Sequence, residues 1–270
     1  MKLLDLLIIF VLALLAAFIW LRDTTWMSSS DDTLPILIAL PVFFWLGMPW
    51  RFLEQSGPIP KFPVAIAAIL FVLGIAGNLT LLLAIGWTLI LWTWLSSRTD
   101  PADHSKIKKL LILPFMAFPW VTLDAGILGW WFRLSGAHVT AALFSILGFN
   151  VIQEGTHILI NSLPISVEAA CAGLNTLQSM LIAGSVVAFI FLGNSNRYWW
   201  NLPLLVVMAW LANTLRIIVL VSAALVVSPE FALGAFHTWG GWLVLMVMFL
   251  CCWIIFSLQE PPVTVESKNL

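Results

Sequence analysis

Three residues whose side chains could carry out acyl transfer lie in apolar surroundings in the C-terminal part of the chain: Cys171, Arg216 and His237. A thiolate attacks carbonyl carbons, an imidazole transfers protons near neutral pH, and a guanidinium stabilises negative charge on oxygen. Each residue also has a structural explanation. A lone cysteine is most often a small core residue, and a lone histidine at an interface is common. Arg216 could pack between helices or pair with Asp124, the only obvious acid in a candidate membrane span.

The surroundings of Cys171, in VEAACAGLNTLQSM, favour a chemical role. A helix that begins at this point lowers the pKa of the thiol and directs backbone N–H groups at an anion formed there. Gly173 allows another chain to approach the backbone closely. Cys171, Asn175 and Gln178 are spaced i, i+4 and i+7, which predicts a polar stripe on one face of a helix. Because lipid excludes such a stripe, we expect it to face protein or water.

The composition indicates the kind of protein in which these residues are placed. Of 270 residues, 61% are hydrophobic and 9% are charged, and the mean hydropathy is +1.04. Soluble domains average roughly 25% charged residues, so a soluble domain is excluded. The net charge of −1 gives no support to a nucleic-acid partner. Three cysteines, two of them adjacent, cannot build a disulfide framework.

Apolar segments of about 20 residues predict an all-α polytopic membrane protein with about eight transmembrane helices. The apolar run over 62–94 is too long for one crossing, and Gly77-Asn78 within it reads as a tight turn. The eight predicted spans lie at about 3–21, 34–50, 63–77, 79–95, 110–131, 172–192, 202–227 and 238–257.

The distribution of Lys and Arg predicts the orientation. With the N-terminus inside, nine of the twelve lie in cytoplasmic stretches, two lie outside and Arg216 lies within a span. Both termini are therefore expected in the cytoplasm, which places 132–170 outside. Within that segment, Ala137–Phe149 could form a short helix packed on the membrane. The Ile/Val-rich residues 151–168, with their turn signals, predict an extended segment of one or two β-hairpins before the sixth span.

These boundaries predict a single integral membrane domain over 1–258. Its parts are five spans within 1–131, the extracytoplasmic segment 132–170 and a catalytic core of three spans over 171–258. The tail over 259–270 is expected to be disordered.

The predicted topology brings the three reactive residues together. The sixth span enters the membrane from Cys171, the seventh returns with Arg216, and the eighth enters again from His237. Cys171 and His237 therefore share the outer interface. Arg216 lies about 17 Å below the end of its span, and its long side chain can reach back towards water. We expect a hydrated pocket recessed in the outer leaflet.

Other cysteines and histidines are weaker candidates. Cys251 and Cys252 lie about 21–23 Å deeper than His237 and are expected to be structural. His104 falls in a cytoplasmic loop, which leaves His157 as the serious rival to His237. No HExxH, GxSxG, P-loop or metal-spaced Cys/His cluster occurs, so neither a metal nor a cofactor is predicted.

A Cys, an Arg and a His in this order on the last three spans resemble the exosortase/archaeosortase family. The motifs are EAACAGLNTL around Cys171, NTLR over 213–216 and FHTWGG around His237, and the resemblance covers about 137–245. It implies catalytic roles for Cys171, Arg216 and His237. The family commonly has Cys-Ser-Gly, where this chain has Ala172 in place of the serine. Supporting residues implied by the same motifs are Glu168, Gly173, Asn175 and Asn213.

The resemblance implies an integral membrane cysteine protease or transpeptidase. Such proteins cut the C-terminal sorting signal of exported proteins, which consists of a short Pro-Glu-Pro-like motif, a transmembrane helix and a basic cluster. The resemblance also implies the partners of this chain, which are these membrane-anchored substrates, membrane lipid and an acceptor nucleophile of unknown identity. The implied location is the cell membrane, with the active site facing the periplasm or exterior.

Two other functions are compatible with the sequence. A transporter or channel would use Asp124 and Arg216 as an intramembrane couple and would survive loss of Cys171. A non-enzymatic assembly factor for surface polysaccharide would tolerate changes at all three reactive residues. The chain has no repeated half with broken helices in matching places, a feature of many transporters, which weighs against the first alternative.

Overall fold

The computed structural model describes residues 3–27, 30–53, 57–161, 163–166 and 173–259. In these ranges the chain forms helices and one small sheet. The helices are α1 (Leu3–Leu21), α2 (Ser30–Gly47), α3 (Lys61–Ala76), α4 (Thr80–Ser96), α5 (His104–Leu110), α6 (Ile112–Met116), α7 (Trp120–Asp124), α8 (Gly126–Ile146), α9 (Leu174–Leu192), α10 (Arg197–Val226), α11 (Pro229–Leu233) and α12 (Ala235–Leu258). The strands are β1 (Val151–Glu154), β2 (His157–Ile160) and β3 (Leu163–Ser166).

Three of these helices are long and apolar enough to cross a membrane, namely α9, α10 and the part of α12 over Trp239–Leu258. Shorter apolar helices form the N-terminal half of the chain. Large apolar side chains face outward, and on α12 Leu243, Met246 and Leu250 are 64%, 65% and 59% exposed. Their spacing of three and four residues places them on one face, which suits contact with lipid. The chain is a polytopic membrane protein, and the count of eight spans stays a prediction.

The first four predicted spans coincide with helices α1 to α4. The turn expected at Gly77-Asn78 separates α3 from α4, and Asn78 adopts a positive φ of 54°. The two helices pack closely because Gly74 has no side chain. A Cβ at that position would lie 2.8 Å from Leu83 Cδ2.

The segment over 110–131, predicted as the fifth span, is not one continuous helix, because the chain there is divided between the end of α5, α6, α7 and the first turns of α8. Pro119 has no N–H to donate, and a residue that precedes proline disfavours the helical conformation. Helix α6 accordingly ends at Met116. The amide of Gln178 in α9 donates to the carbonyls of Met116 and Phe118, at 3.2 and 3.5 Å, and so binds oxygens at the break.

Helix α8 also differs from its prediction. A short helix was expected over 137–149, but residues 137–146 are the C-terminal half of a helix of 21 residues that begins at Gly126, and residues 147–149 follow it. Arg133, one of the two basic residues that the charge count placed outside the membrane, lies within this helix. It continues because Ala137, Ala141 and Phe144 form an apolar face buried against α10 and the sheet.

Strands β1, β2 and β3 form an antiparallel sheet in the order β1-β2-β3. Positive φ values at Gly155 (61°) and Asn161 (48°) mark its two turns. Ile158 and Ile160 of β2 are buried, and they pack against the C-terminal halves of α8 and α10. The sheet thus lies at the end of the bundle where α10 ends and α12 begins.

The opposite end of the bundle is held by contacts between connecting segments. After α4, Arg98 Nε lies 2.6 Å from Asp5 Oδ1 at the start of α1. Lys109 Nζ donates to the carbonyl of Gly193, at the end of α9, at 2.7 Å. Segments that the positive-inside rule assigns to the cytoplasm therefore meet at one end, whereas the sheet lies at the other. Which end faces the cytoplasm stays a prediction.

Candidate active site

Helix α10 carries two residues of the predicted site, Asn213 and Arg216, about 60° apart round the helix. Its neighbouring face packs on α8 through Gly136. A Cβ on Gly136 would lie 2.8 Å from Ile217 Cδ1 and 3.6 Å from Thr214 Oγ1. Thr214 and Ile217 therefore fix the rotation of α10 against α8, and this rotation decides which helices Asn213 and Arg216 face.

Asn213 faces the beginning of α9. Gly173 precedes the first residue of that helix and has a φ of 72°, a conformation that residues with a side chain rarely adopt. A Cβ on Gly173 would lie 2.7 Å from Asn213 Cγ and 2.9 Å from Asn213 Oδ1. The close approach expected at Gly173 is present, and the approaching helix is α10.

The amide of Asn213 is buried within this contact. The residue is 1% exposed, and neither Nδ2 nor Oδ1 has a hydrogen-bond partner among the residues that the structure describes. A buried polar group without a partner costs about 1–3 kcal/mol of stability. Residue pattern alone does not indicate this burial, since it depends on the packing of α9 on α10.

Arg216 faces α12. A Cβ on Gly241 would lie 3.1 Å from Arg216 Nε and 3.2 Å from Arg216 Cζ, so the guanidinium lies against the backbone of α12. Gly241 follows His237 by four residues, which is about one helical turn. Gly241 was not among the predicted site residues. The Gly-Gly pair in FHTWGGW is the signal that could have identified this contact.

Of the polar stripe predicted along α9, the structure describes Asn175 and Gln178, whereas Cys171 lies outside the described residues. Helix α9 begins at Leu174, so position 171 precedes it instead of lying in its first turn. Asn175 is exposed, whereas Gln178 is buried at the break between α6 and α7. The two side chains therefore do not share an environment, because α9 packs against the protein on the side of Gln178.

Three predicted site residues fall partly or wholly outside the described residues. Glu168 and Cys171 belong to the range 167–172, which lies outside them. The backbone of position 237 lies in the first turn of α12, and the side chain of His237 falls outside the description. The catalytic roles of Cys171, Arg216 and His237 stay predictions.

Asp124 makes a contact unrelated to Arg216. Its Oδ2 accepts a hydrogen bond from the backbone N–H of Leu81 at 2.5 Å, in the first turn of α4. A carboxylate at this position stabilises the helix through its unpaired N–H groups and its dipole. Asp124 also lines a polar cavity of about 60 Å³ together with Arg22 and Asn78. Because the Asp124 carboxylate caps α4, this contact argues against the alternative in which Asp124 pairs with Arg216.

The remaining candidates lie elsewhere. Cys251 and Cys252 are free and lie in α12, where Cys252 is fully buried. His157 is the first residue of β2 and pairs in register with Glu154 and Ser166. It lines a cavity of about 390 Å³ on the exposed face of the sheet. In the described parts of the chain, no group of three or more His, Cys, Asp or Glu side chains could hold a metal ion.

Comparison with known proteins identifies the family. The family model described as "Transmembrane exosortase (Exosortase_EpsH)" matches residues 5–254. No curated protein and no solved structure matches the chain. The match extends beyond the C-terminal motifs and includes helices α1 to α4, whereas the resemblance seen in the motifs covered only about residues 137–245. This chain belongs to the transmembrane exosortase family.

Proposed function

We propose that this protein is a membrane-embedded cysteine protease or transpeptidase that cleaves the C-terminal sorting signal of exported proteins through a thioester on Cys171. One observation carries the proposal. Helix α10 places Asn213 against Gly173, two residues after Cys171, and places Arg216 against Gly241, one turn after His237.

Chain geometry limits how far the two other reactive positions can lie from α10. Two residues of fully extended chain span about 7 Å, so position 171 is tied closely to Gly173. Four residues of helix rise about 6 Å, and positions 237 and 241 share one face of α12. This supports a site in which Cys171, Arg216 and His237 meet at the sheet end of the bundle.

The proposed first step is acylation. The Cys171 thiolate forms a C–S bond with the scissile carbonyl carbon, and the carbonyl electron pair moves to oxygen. Arg216 donates hydrogen bonds to this oxyanion. When the intermediate collapses, the C–N bond breaks and the imidazolium of His237 gives its proton to the leaving amine. The transmembrane helix and basic tail of the substrate leave, and the exported portion stays on sulfur as a thioester.

The second step releases the exported portion. The neutral imidazole of His237 takes a proton from the acceptor, whose oxygen or nitrogen forms a bond to the thioester carbon. The C–S bond then breaks and the Cys171 thiolate is regenerated. With water as acceptor the protein is a protease, and with a lipid or glycan acceptor it is a transpeptidase.

The membrane location supports this class of substrate. A substrate with its own C-terminal transmembrane helix diffuses in the same bilayer, and its scissile bond is held near the membrane surface. The positive-inside distribution supports cytoplasmic termini and a site on the periplasmic or exterior side.

The test is a reporter with an exported soluble domain, a Pro-Glu-Pro motif, an apolar span and an arginine cluster, produced together with the protein. We expect Cys171→Ala to abolish cleavage. The matched controls Cys251→Ala and Cys252→Ala should retain cleavage per molecule of protein, because both residues lie deep in α12. Cleavage at the normal level by Cys171→Ala would remove the nucleophile and the proposed function with it.

A further inference from the structure

We propose that the side-chain amide of Asn213 binds the main chain of the substrate next to the scissile bond. The inference rests on the proposed function and adds a binding residue to it. The starting observation is that Asn213 is 1% exposed while neither of its amide atoms has a hydrogen-bond partner in the described part of the chain.

The position of this amide relates it to the reaction. Its Cγ and Oδ1 lie against Gly173, whose positive φ turns the chain into α9 two residues after Cys171. Arg216 follows on the same helix three residues later. The amide therefore contacts the residue that precedes α9, and it lies within one turn of α10 from the guanidinium that would hold the oxyanion.

The chemistry of the ligand follows from the two unpaired atoms. Nδ2 is a donor and Oδ1 is an acceptor, so a ligand that satisfies both must itself accept and donate. An oxyanion accepts only and would leave Oδ1 unpaired. In an extended peptide, the N–H and C=O of one residue point to the same side, as they do towards a neighbouring strand. One residue of an extended substrate therefore satisfies both amide atoms.

A second asparagine on the same helix provides the comparison. Asn201 is 6% exposed, and its Nδ2 donates to the carbonyl of Arg197 and to Oε1 of Gln259, each at 2.8 Å. The Asn201 amide thus connects α10 with the end of α12 and has a structural use. Asn213 is also buried in α10, but its amide forms no hydrogen bond to another helix among the residues that the structure describes.

The experiment compares Asn213→Leu with Asn201→Leu in detergent-purified full-length protein. Leucine has the same branching at Cγ as asparagine, with methyl groups in place of the amide oxygen and nitrogen, and no polar atoms. We expect the melting temperature of Asn213→Leu to stay unchanged or rise by about 2–4 °C, since no hydrogen bond is lost. With the reporter as probe, kcat/KM should fall roughly 10- to 100-fold, mainly through a higher KM. Asn201→Leu should melt at a lower temperature and retain kcat/KM per folded molecule.

The outcomes separate the inference from the proposed function. If wild type cleaves the reporter, Cys171→Ala does not, and Asn213→Leu keeps the wild-type KM, the inference is overturned and the function stands. Cleavage that does not depend on Cys171 overturns both. If Asn213→Leu does not accumulate, Asn213→Ala replaces it, since it adds no bulk, and the same rise in KM is required. A fall in kcat at constant KM would assign the amide to the oxyanion and overturn the peptide contact.

Discussion

At the scale of single residues, the contact between Arg216 and Gly241 defines what the guanidinium can do. A planar guanidinium that lies flat against a glycine backbone is held in one plane, with its N–H groups directed along that plane. This arrangement suits the recognition of a carbonyl or an oxyanion in a fixed direction. A point charge on a flexible stem, as in lysine, does not provide the same geometry.

We therefore predict that Arg216→Lys loses reporter cleavage by roughly 10²- to 10³-fold, the usual effect of removing an oxyanion donor. Membrane abundance should change little. In the ion-couple alternative, Arg216→Lys is tolerated, and Arg216→Ala destabilises the protein unless Asp124→Ala accompanies it. The ratio of precursor to product and the amount of protein in the membrane distinguish the two. Normal cleavage by Arg216→Lys, or rescue in the double variant, would contradict the catalytic role.

At this scale, the residue types of the candidate site could be predicted from the sequence, but their contacts in the fold could not. The need for a glycine at 173 could be predicted, because it follows from backbone geometry. The burial of Asn213 and the contact of Arg216 with Gly241 could not. Both depend on how α9 and α12 are rotated and shifted against α10, and local residue pattern does not contain that information.

At the scale of secondary-structure elements, the entry into α9 is the critical local feature. We predict that Gly173→Ala abolishes most cleavage, because it strains a positive-φ position by about 1–2 kcal/mol and forces Asn213 aside. Gly155→Ala is the matched control. Gly155 also has a positive φ, of 61°, but a Cβ there meets nothing within 4 Å. Gly155→Ala should lower the melting temperature through backbone strain and keep kcat/KM, whereas Gly173→Ala should lower the melting temperature at least as much and also lose kcat/KM. Equal activity in the two variants would separate α9 from the site.

A buried ion pair joins α1 to the end of α4, and its loss should destabilise the bundle. Asp5 and Arg98 are 7% and 6% exposed, and Arg98 Nη1 also donates to the carbonyl of Gly57 at 2.9 Å. Asp5→Ala leaves a buried guanidinium without its carboxylate, so we predict a loss of about 3–5 kcal/mol, measured by denaturation in detergent. Asp5→Ala/Arg98→Met should recover a large part of that loss. A double variant less stable than Asp5→Ala would show that the pair is not the source of the effect.

The helices that were correctly predicted and the one that was not differ in a physical way. Hydropathy measures whether a segment is apolar, and α1 to α4 are apolar helices that remain continuous, even through Pro35 and Pro41 of α2. The segment over 110–131 is equally apolar, but Pro119 interrupts its backbone hydrogen bonds. Gln178, 60 residues away in sequence, donates to carbonyls at the break. Sequence could suggest the break from the proline but not the residue that compensates for it.

At the scale of the whole molecule, the fold separates two ends with different contents. One end gathers Asp5, Arg98, Lys109 and Gly193 through hydrogen bonds and an ion pair. The other holds the sheet, the start of α9 and the start of α12. The charge distribution predicted from sequence corresponds to the first end, since charged residues are costly elsewhere in a membrane protein. The proposed site lies at the second end because α9 begins there and α10 is joined there to α12 through α11, an arrangement that the order of the predicted spans implies.

Because the two ends lie on opposite sides of the bundle, one labelling experiment can test which end faces the cytoplasm. In a protein without native cysteines, we expect an impermeant maleimide to label Glu154→Cys, on the exposed face of the sheet, in intact cells. Lys106→Cys and Asn196→Cys should be labelled only after the membrane is opened. These two positions must behave alike, because Lys109 binds Gly193 and Tyr198 binds the carbonyl of Lys109. Labelling of both in intact cells would invert the orientation and place the site in the cytoplasm, where it could not meet an exported substrate.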